Sequence, residues 1–291
     1  AMGFAGAQGD RVSIELFVVV MFLSAIGAGM LGSLVGLGGG ILIVPILTIG
    51  FGVDIHLAIG ASIISVIATS SGAAAAFVRD HMTNIRVAML LELATSFGAV
   101  SGAIVAAWIN PKFLYLLFGG ILIFSVFPMI KKLGEEIPKG VVNDEWADKL
   151  RLNSYYPDRK HGIVHYNVTR VPLGFVMMYI AGIVSGLLGI GSGALKVLAM
   201  DTAMRLPIKV SSATSNFMIG VTAAASSGIY FWRGDVVPEI AAPVALGVLA
   251  GATLGARLLV RFRSETIRRI FIVVLVIVAV QMFLKGVGVS I

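Results

Sequence analysis

The chain has no cysteine. Disulfides, thiolate metal sites and thiol chemistry are therefore excluded, although the absence says nothing about compartment. Charge is scarce as well. Only 13% of the 291 residues are charged, against about 25% in a soluble domain. The 4 histidines are scattered and form no metal-binding spacing. No enzyme constellation emerges, so no catalytic residue, metal or cofactor is expected. No Walker sequence is present, which argues against an ATPase in this chain but does not exclude an external energising partner. The start of Gly36-Leu-Gly-Gly-Gly40 imitates a fragment of a dinucleotide fingerprint, but no βαβ context surrounds it. The net charge of +7 does not point to nucleic acid, because the basic residues sit between apolar runs and no aromatic-plus-basic module accompanies them.

Apolar residues fill the space. They make up 58% of the chain, 35 residues are glycine, and the mean hydropathy is +0.98. The apolar runs are long enough for helices crossing a bilayer rather than barrel strands. They fall at 13–35, 40–52, 57–78, 86–108 and 112–130, and recur at 171–190, 194–204, 209–231, 236–259 and 266–285. The second run of each set is too short for a comfortable span and reads as a half-helix. The expected fold is an all-α integral membrane protein with 8–10 membrane segments and a broken or re-entrant segment in each half. Residues 1–12 read as an N-terminal tail. Arg11 followed by apolar sequence imitates a signal peptide, but the uncharged run from Leu16 to Val53 is far longer than a signal core and reads as membrane structure.

Two glycine clusters interrupt these runs: Gly36-Leu-Gly-Gly-Gly40 and Gly189-Ile-Gly-Ser-Gly193. Glycine costs a helix interior about 1 kcal/mol relative to alanine, so such clusters imply unwound backbone. In a membrane that is tolerated only where protein buries it or where it lines a watery cavity. Paired breaks at matching places in two halves point to a transporter binding site. Further matches follow in order: Ile59-Gly-Ala-Ser62 against Ser211-Ser-Ala-Thr214, and Gly98-Ala-Val-Ser-Gly102 against Gly251-Ala-Thr-Leu-Gly255. Order and near-constant offset indicate an internal duplication, with a first repeat at 13–130, a linker at 131–170 and a second repeat at 171–291.

Charge tests the topology. The linker carries eight basic residues, among them Lys131, Lys149 and Arg170, and the turn before the last segment carries Arg257, Arg261, Arg263, Arg268 and Arg269. Both should be cytoplasmic. The equivalent turn in the first half, Asn110-Pro111-Lys112, is nearly uncharged and should lie outside. Equivalent turns on opposite sides require an inverted repeat. Within the linker, Asn143 to Leu152 suits a short helix on the membrane surface with Trp146 at the interface. Trp108 and Trp232 also suit interfacial belts.

The sequence Gly36-Leu-Gly-Gly-Gly-Ile-Leu-Ile-Val-Pro-Ile-Leu47, the downstream Ala-Ile-Gly-Ala-Ser62 and the second-half echoes Gly189-Ile-Gly-Ser-Gly193 and Ser212-Ala-Thr-Ser-Asn216 resemble the TauE/SafE sulfite exporter family, the TSUP transporters. The resemblance runs from about residue 13 to 285. It implies export of small sulfur anions such as sulfite, thiosulfate, sulfoacetate, sulfolactate or related organosulfonates, with proton coupling, in the inner (plasma) membrane of the cell. Its partners would be the small sulfur anion, protons and the lipid bilayer. The second half departs from the first, with Leu198 opposite Pro45 and Lys196 opposite Ile43.

An anion in a membrane must exchange water for other donors. Backbone N–H groups at a helix start supply them, backed by the helix dipole. Gly38, Gly39 and Gly40 in one half and Gly191, Ser192 and Gly193 in the other precede new apolar runs and are candidate substrate contacts; tight helix packing alone is the competing explanation. Lys196 follows Gly193 by three residues. A cation there opposes the dipole unless an anion lies near, and an intramembrane lysine is costly, although snorkelling to the interface would also satisfy it. Ser62, Thr214 and Asn216 add donors beside the breaks. Glu92 is the one acid in its span and is the proton-coupling candidate; pairing with Arg86 is its structural alternative. Asp201 has Arg205 and Lys209 as expected partners. His56 and His81 fall near segment ends. A channel, a sulfur-anion or carboxylate importer and a non-transporting membrane subunit are the competing functions.

Overall fold

The computed structural model describes residues 9–35, 40–79, 81–131, 138, 140–158, 162–259 and 264–289. The first half comprises α1 (Gly9–Val35), α2 (Gly40–Pro45) running into a π-helical turn (Ile46–Gly50), α3 (Ile55–Arg79), α4 (Ile85–Ala106) and α5 (Pro111–Lys131). A short helix α6 (Glu145–Lys149) and a hairpin of β1 (Ser154–Asp158) and β2 (Gly162–Tyr166) follow. The second half comprises α7 (Val171–Leu188), α8 (Gly193–Leu198) with its own π turn (Ala199–Ala203), α9 (Ile208–Trp232), α10 (Pro238–Leu259) and α11 (Ser264–Val287). Among the described residues eight helices are long and two segments are short, as the apolar runs predicted. Among the described residues three windows are long and apolar enough to span on composition alone: Glu15–Gly32, Ile85–Ala106 and Val171–Leu188.

Membrane residence shows in how the helices sort their side chains. On α4 the large apolar Ile85, Met89, Leu93 and Phe97 are exposed, while Ala88, Leu91, Ala94, Thr95 and Gly98 are buried. In water the exposed stripe would be a liability; against lipid it is solvated and the small, polar face is the one that packs. Close approach then needs glycine. An added Cβ at Gly98 or Gly102 of α4 would lie 2.3 or 2.2 Å from the Tyr179 or Ile183 carbonyl oxygen of α7. Gly182 and Gly186 of α7 return the favour against Thr95 and Ala99 at 2.3 and 2.0 Å. Gly247 and Gly251 of α10 do the same against Phe22 and Ile26 of α1.

The helix starts Gly40 and Gly193, Ile55 and Ile208, Ile85 and Pro238, and Pro111 and Ser264 are all separated by the same interval, 153 positions. The pairing pattern agrees: α1 packs on α10 as α4 packs on α7, α3 on α10 as α9 on α4, and α3 meets α9 while α5 meets α11. Exchanging the halves leaves this pattern unchanged. The interval places Ser62 opposite Ser215, not opposite Thr214 as the sequence match suggested, because that match skipped one residue.

The described part of the linker is folded, and here, among the described residues, a two-stranded hairpin departs from the all-α expectation. Tyr156 pairs with Val164 and Ser154 with Tyr166 in an antiparallel register. Asp144 caps α6, its carboxylate accepting from the Ala147 N–H at 2.7 Å. Ala147, Leu152, Tyr156 and Val168 are buried with Val87 and Leu91 of α4, Met178 of α7 and Met218 of α9. The expected surface helix is thus five residues long, and it sends Ala147 into the core while Trp146 remains exposed. Trp108 and Trp232 stand exposed just past α4 and at the end of α9, where interfacial residues were expected.

Candidate functional site

The centre of the molecule is where the short segments begin. Gly189 ends α7 in the left-handed region (φ 66°), and Gly191 and Ser192 remain there (φ 68° and 46°) before α8 starts at Gly193. Three such departures within four residues unwind the chain, and two of the three fall on glycine, which bears them without strain. Gly191 also has no room for a side chain, since a Cβ would lie 2.7 Å from Ile219. Gly40, the first residue of α2, is hemmed in by Val66 and Ser62. Gly38 and Gly39, the other two predicted contacts of the first cluster, lie outside the described residues. Both short segments lead into π turns, an irregularity common at functional sites. Pro45 precedes one of them and Leu198 the other, so proline is not what makes them.

Serine hydroxyls tie the breaks together. Ser62 Oγ on α3 donates to the Gly189 carbonyl at 2.8 Å and to the Gly40 carbonyl at 3.1 Å, sharing one hydrogen between them. Its counterpart Ser215 Oγ on α9 donates to the Gly193 carbonyl at 3.2 Å. Ser192 Oγ is buried without a hydrogen-bond partner. It borders a small cavity shared with Ile41 of α2, Ile121 and Ser125 of α5, and Leu195.

Lys196 lies one turn into α8 and is fully buried. Its Nζ donates to Thr222 Oγ1 on α9 at 2.5 Å. Thr222 in turn lies 2.7 Å from Glu92 Oε1 on α4, positioned to donate to it. Ser96 Oγ donates to the same carboxylate oxygen at 2.9 Å, whereas Oε2 is buried without a hydrogen-bond partner. Snorkelling to the interface therefore does not explain Lys196, and Arg86 is not the partner of Glu92; it donates to the Arg151 carbonyl instead. The structure thus joins Lys196 and Glu92, two residues the sequence treated separately. Thr222 was missed: one threonine among many small residues of α9 carries no sequence signal. Only its place seven residues, two helical turns, beyond Ser215 puts it on the same face.

Two candidates sit elsewhere. Thr214 Oγ1 accepts from the Asn84 backbone N–H at 3.1 Å, at the turn between α3 and α4, so the hydroxyl that meets the broken segment is that of Ser215. Asn216 donates to the Ser212 carbonyl of its own helix at 3.1 Å. The Lys209 partner is Asp158 of β1, at 2.5 Å with the carboxylate almost fully enclosed. His56 approaches Asp54 at 3.2 Å near the start of α3, and His81 is exposed in the turn before α4.

Among the described residues no group of His, Cys, Asp and Glu could hold a metal ion. The arrangement can offer an anion a buried ammonium, hydroxyls and the N–H groups at a helix start, with a carboxyl group one hydroxyl away.

The comparisons with known proteins agree with a transporter. A family model described as sulfite exporter TauE/SafE matches residues 21–282. The chain is 29% identical over 279 residues to the probable membrane transporter protein YunE of Bacillus subtilis (strain 168), covering 93% of this chain and 98% of the relative. It is 27% identical over 243 residues to the probable membrane transporter protein YdhB of the same organism, covering 83% and 89%. A probable membrane transporter protein of Xylella fastidiosa (strain 9a5c) is 28% identical over 266 residues, covering 89% and 93%. No solved structure matches the chain.

Proposed function

The chain belongs to the TauE/SafE sulfite exporter family, and from that premise we propose that it is a secondary transporter of small sulfur anions. Sulfite, thiosulfate, sulfoacetate and related organosulfonates are the proposed substrates, and export coupled to protons, by alternating access in the cell inner membrane, is the proposed mode. The observation that carries this reading is Lys196. A lysine with no exposed surface, in the first turn after a glycine break, is hard to explain by packing and easy to explain by an anion. The donors at Gly193, Ser192 and Ser215 stand at the same break, and those at Gly40 and Ser62 stand where the other half meets it.

The proposed architecture is two inverted repeats, 13–130 and 171–291, joined by a cytoplasmic linker. Constant spacing and an exchange-invariant packing pattern support the repeat. Cysteine labelling of single substitutions in the linker and in the arginine-rich turn at 257–269 tests the topology; access from opposite faces refutes inversion.

The decisive experiment is a screen of purified protein in liposomes against sulfite, thiosulfate, sulfoacetate and simple carboxylates, with and without a proton gradient. Gradient-dependent accumulation of a sulfur anion is the expected result. Flux that only dissipates gradients favours a channel, and accumulation of carboxylates alone overturns the substrate class.

A further inference from the structure

One ammonium and one carboxylate enclosed in the same apolar bundle set a charge balance. Lys196 on α8 has no exposed surface and Glu92 on α4 is 8% exposed. The Thr222 hydroxyl stands between them, bonded to both. Other ionisable groups on the surrounding elements are occupied elsewhere. α7 carries no charged side chain, and its Tyr179 hydroxyl lies 3.4 Å from Ser101 Oγ. On α9, Lys209 pairs with Asp158 and Tyr230 donates to the Gly186 carbonyl. On α4 itself, Arg86 is bonded to the Arg151 carbonyl, and Asp201 on the π turn after α8 is partly exposed. Lys196 and Glu92 thus meet each other through the Thr222 hydroxyl.

The carboxylate is also lopsided. Oε1 collects the hydroxyls of Ser96 and Thr222, whereas Oε2 is buried with no hydrogen-bond partner. Oε2 is therefore the atom at which a proton can reside without displacing a donor.

We infer that an anion arriving at Lys196 replaces Glu92 as its counter-charge, that Glu92 then takes up one proton at Oε2, and that anion and proton are carried in the same direction. This rests on the anion-transport reading above. With no substrate, ammonium and carboxylate cancel. An arriving monovalent anion leaves one negative charge in excess inside a low-dielectric bundle, and a proton from the same aqueous face bonds to Oε2 and restores the balance. Lys196 keeps its protons throughout, and release reverses both steps. The coupling is reciprocal: whatever raises proton affinity on anion binding raises anion affinity on protonation. Thr222 is a positioning residue. Its single hydrogen is within reach of Glu92 Oε1 at 2.7 Å and of the Met218 carbonyl at 2.9 Å, so it can turn to its own helix once Glu92 is neutral. The consequence is symport. An exchange of incoming protons for outgoing anions would need anion binding to expel a proton, the opposite of what this charge count produces. Outward flux is then driven by the anion's own gradient.

The test uses the full chain in liposomes containing a pH-sensitive dye, with methanesulfonate and ethanesulfonate as probes because both are monovalent and neither titrates near neutrality. An inward anion gradient is expected to acidify the lumen by about one proton per anion. In Glu92→Gln the proton-to-anion ratio of the remaining anion flux is expected to fall to near zero. Thr222→Val is expected to lower that ratio and Thr222→Ser to restore it, a pattern that a purely structural threonine would not give. Lumen alkalinisation, anion flux without proton movement, or an unchanged ratio in Glu92→Gln overturns the inference while leaving anion transport standing. If neither probe is transported by the unmodified chain, while the wider screen finds no sulfur anion that is, the transport reading fails and the coupling with it. The proton flux of the unmodified protein decides the sign even if a variant does not fold.

Discussion

The hydroxyl of Ser62 donates to the carbonyl of Gly189 across 127 positions of sequence, at 2.8 Å. The contact joins α3 to the end of α7 at the place where the chain unwinds. A left-handed C-cap leaves carbonyl groups without helical partners, and in a buried membrane setting some side chain must satisfy them. Ser62→Ala leaves that carbonyl without this donor and is expected to cost about 1–3 kcal/mol. Thermal unfolding in detergent reads it. Ser215→Ala, which removes one longer bond to the Gly193 carbonyl, should cost less; the reverse order would show that the junction between the halves is not held here.

Glycines of the same composition should divide sharply by position. At Gly186 a Cβ would lie 2.0 Å from the Ala99 carbonyl oxygen, while at Gly27 it meets nothing within 4 Å. Gly186→Ala must push α4 and α7 apart, at an expected cost of about 1–3 kcal/mol. Gly27→Ala should be neutral or stabilising by up to about 1 kcal/mol. Melting temperatures of the two variants check this, and equal losses would rule out close approach as the reason for glycine in α7.

The buried charges should be costlier to break than to remove together. Lys196→Met strands the Glu92 carboxylate, and losing one partner of a buried pair typically costs about 3–5 kcal/mol. Adding Glu92→Gln to Lys196→Met should recover most of that stability without recovering transport. A double variant no more stable than the single one contradicts the pairing.

Outside the membrane, Tyr166 reports on the folded linker. Burial first, and the neighbouring Tyr156 second, push its phenol from 10.0 up to about 12, against the opposing hydrogen bonds of Asn84 and Ser154. The folded state favours the neutral phenol, so this contribution is complete below pH 10 and is lost as the pH rises through about 12. The difference in phenolate absorbance between the protein and Tyr166→Phe should titrate near the upper value. A midpoint at the ordinary tyrosine value would mean that the hairpin does not dock on Asn84.

Helix positions were legible because lipid imposes a simple rule: a span must be long and apolar, and polar punctuation ends it. The predicted run 86–108 became Ile85–Ala106, and 194–204 became α8 with its π turn. The hairpin at Ser154–Tyr166 was not anticipated. Its strands are only five residues each, and the charges that identify the linker say nothing of its pairing. Within the site, Lys196 and Glu92 stood out because charge is rare in this composition. Their link did not, since Thr222 looks like any other helix threonine and the geometry that selects it is between helices. Thr214 was preferred to Ser215 because a motif match was read one residue out of register, and on a helix one residue is a rotation of about 100°.

The uniform spacing of the two halves has a further result when set beside Lys196. Its counterpart at the same interval is Ile43, and that of Glu92 is Ala245. The backbone is written twice, but the ionic chemistry is written once. On the transport reading proposed above, a charged guest would then have a single seat, beside α4 and α8 and without an equivalent in the first half. The molecule also contains its own control: Ile43 and Ala245 occupy the same stations without the charge, so a lysine and a glutamate transplanted there would ask whether the scaffold or the side chains make the site.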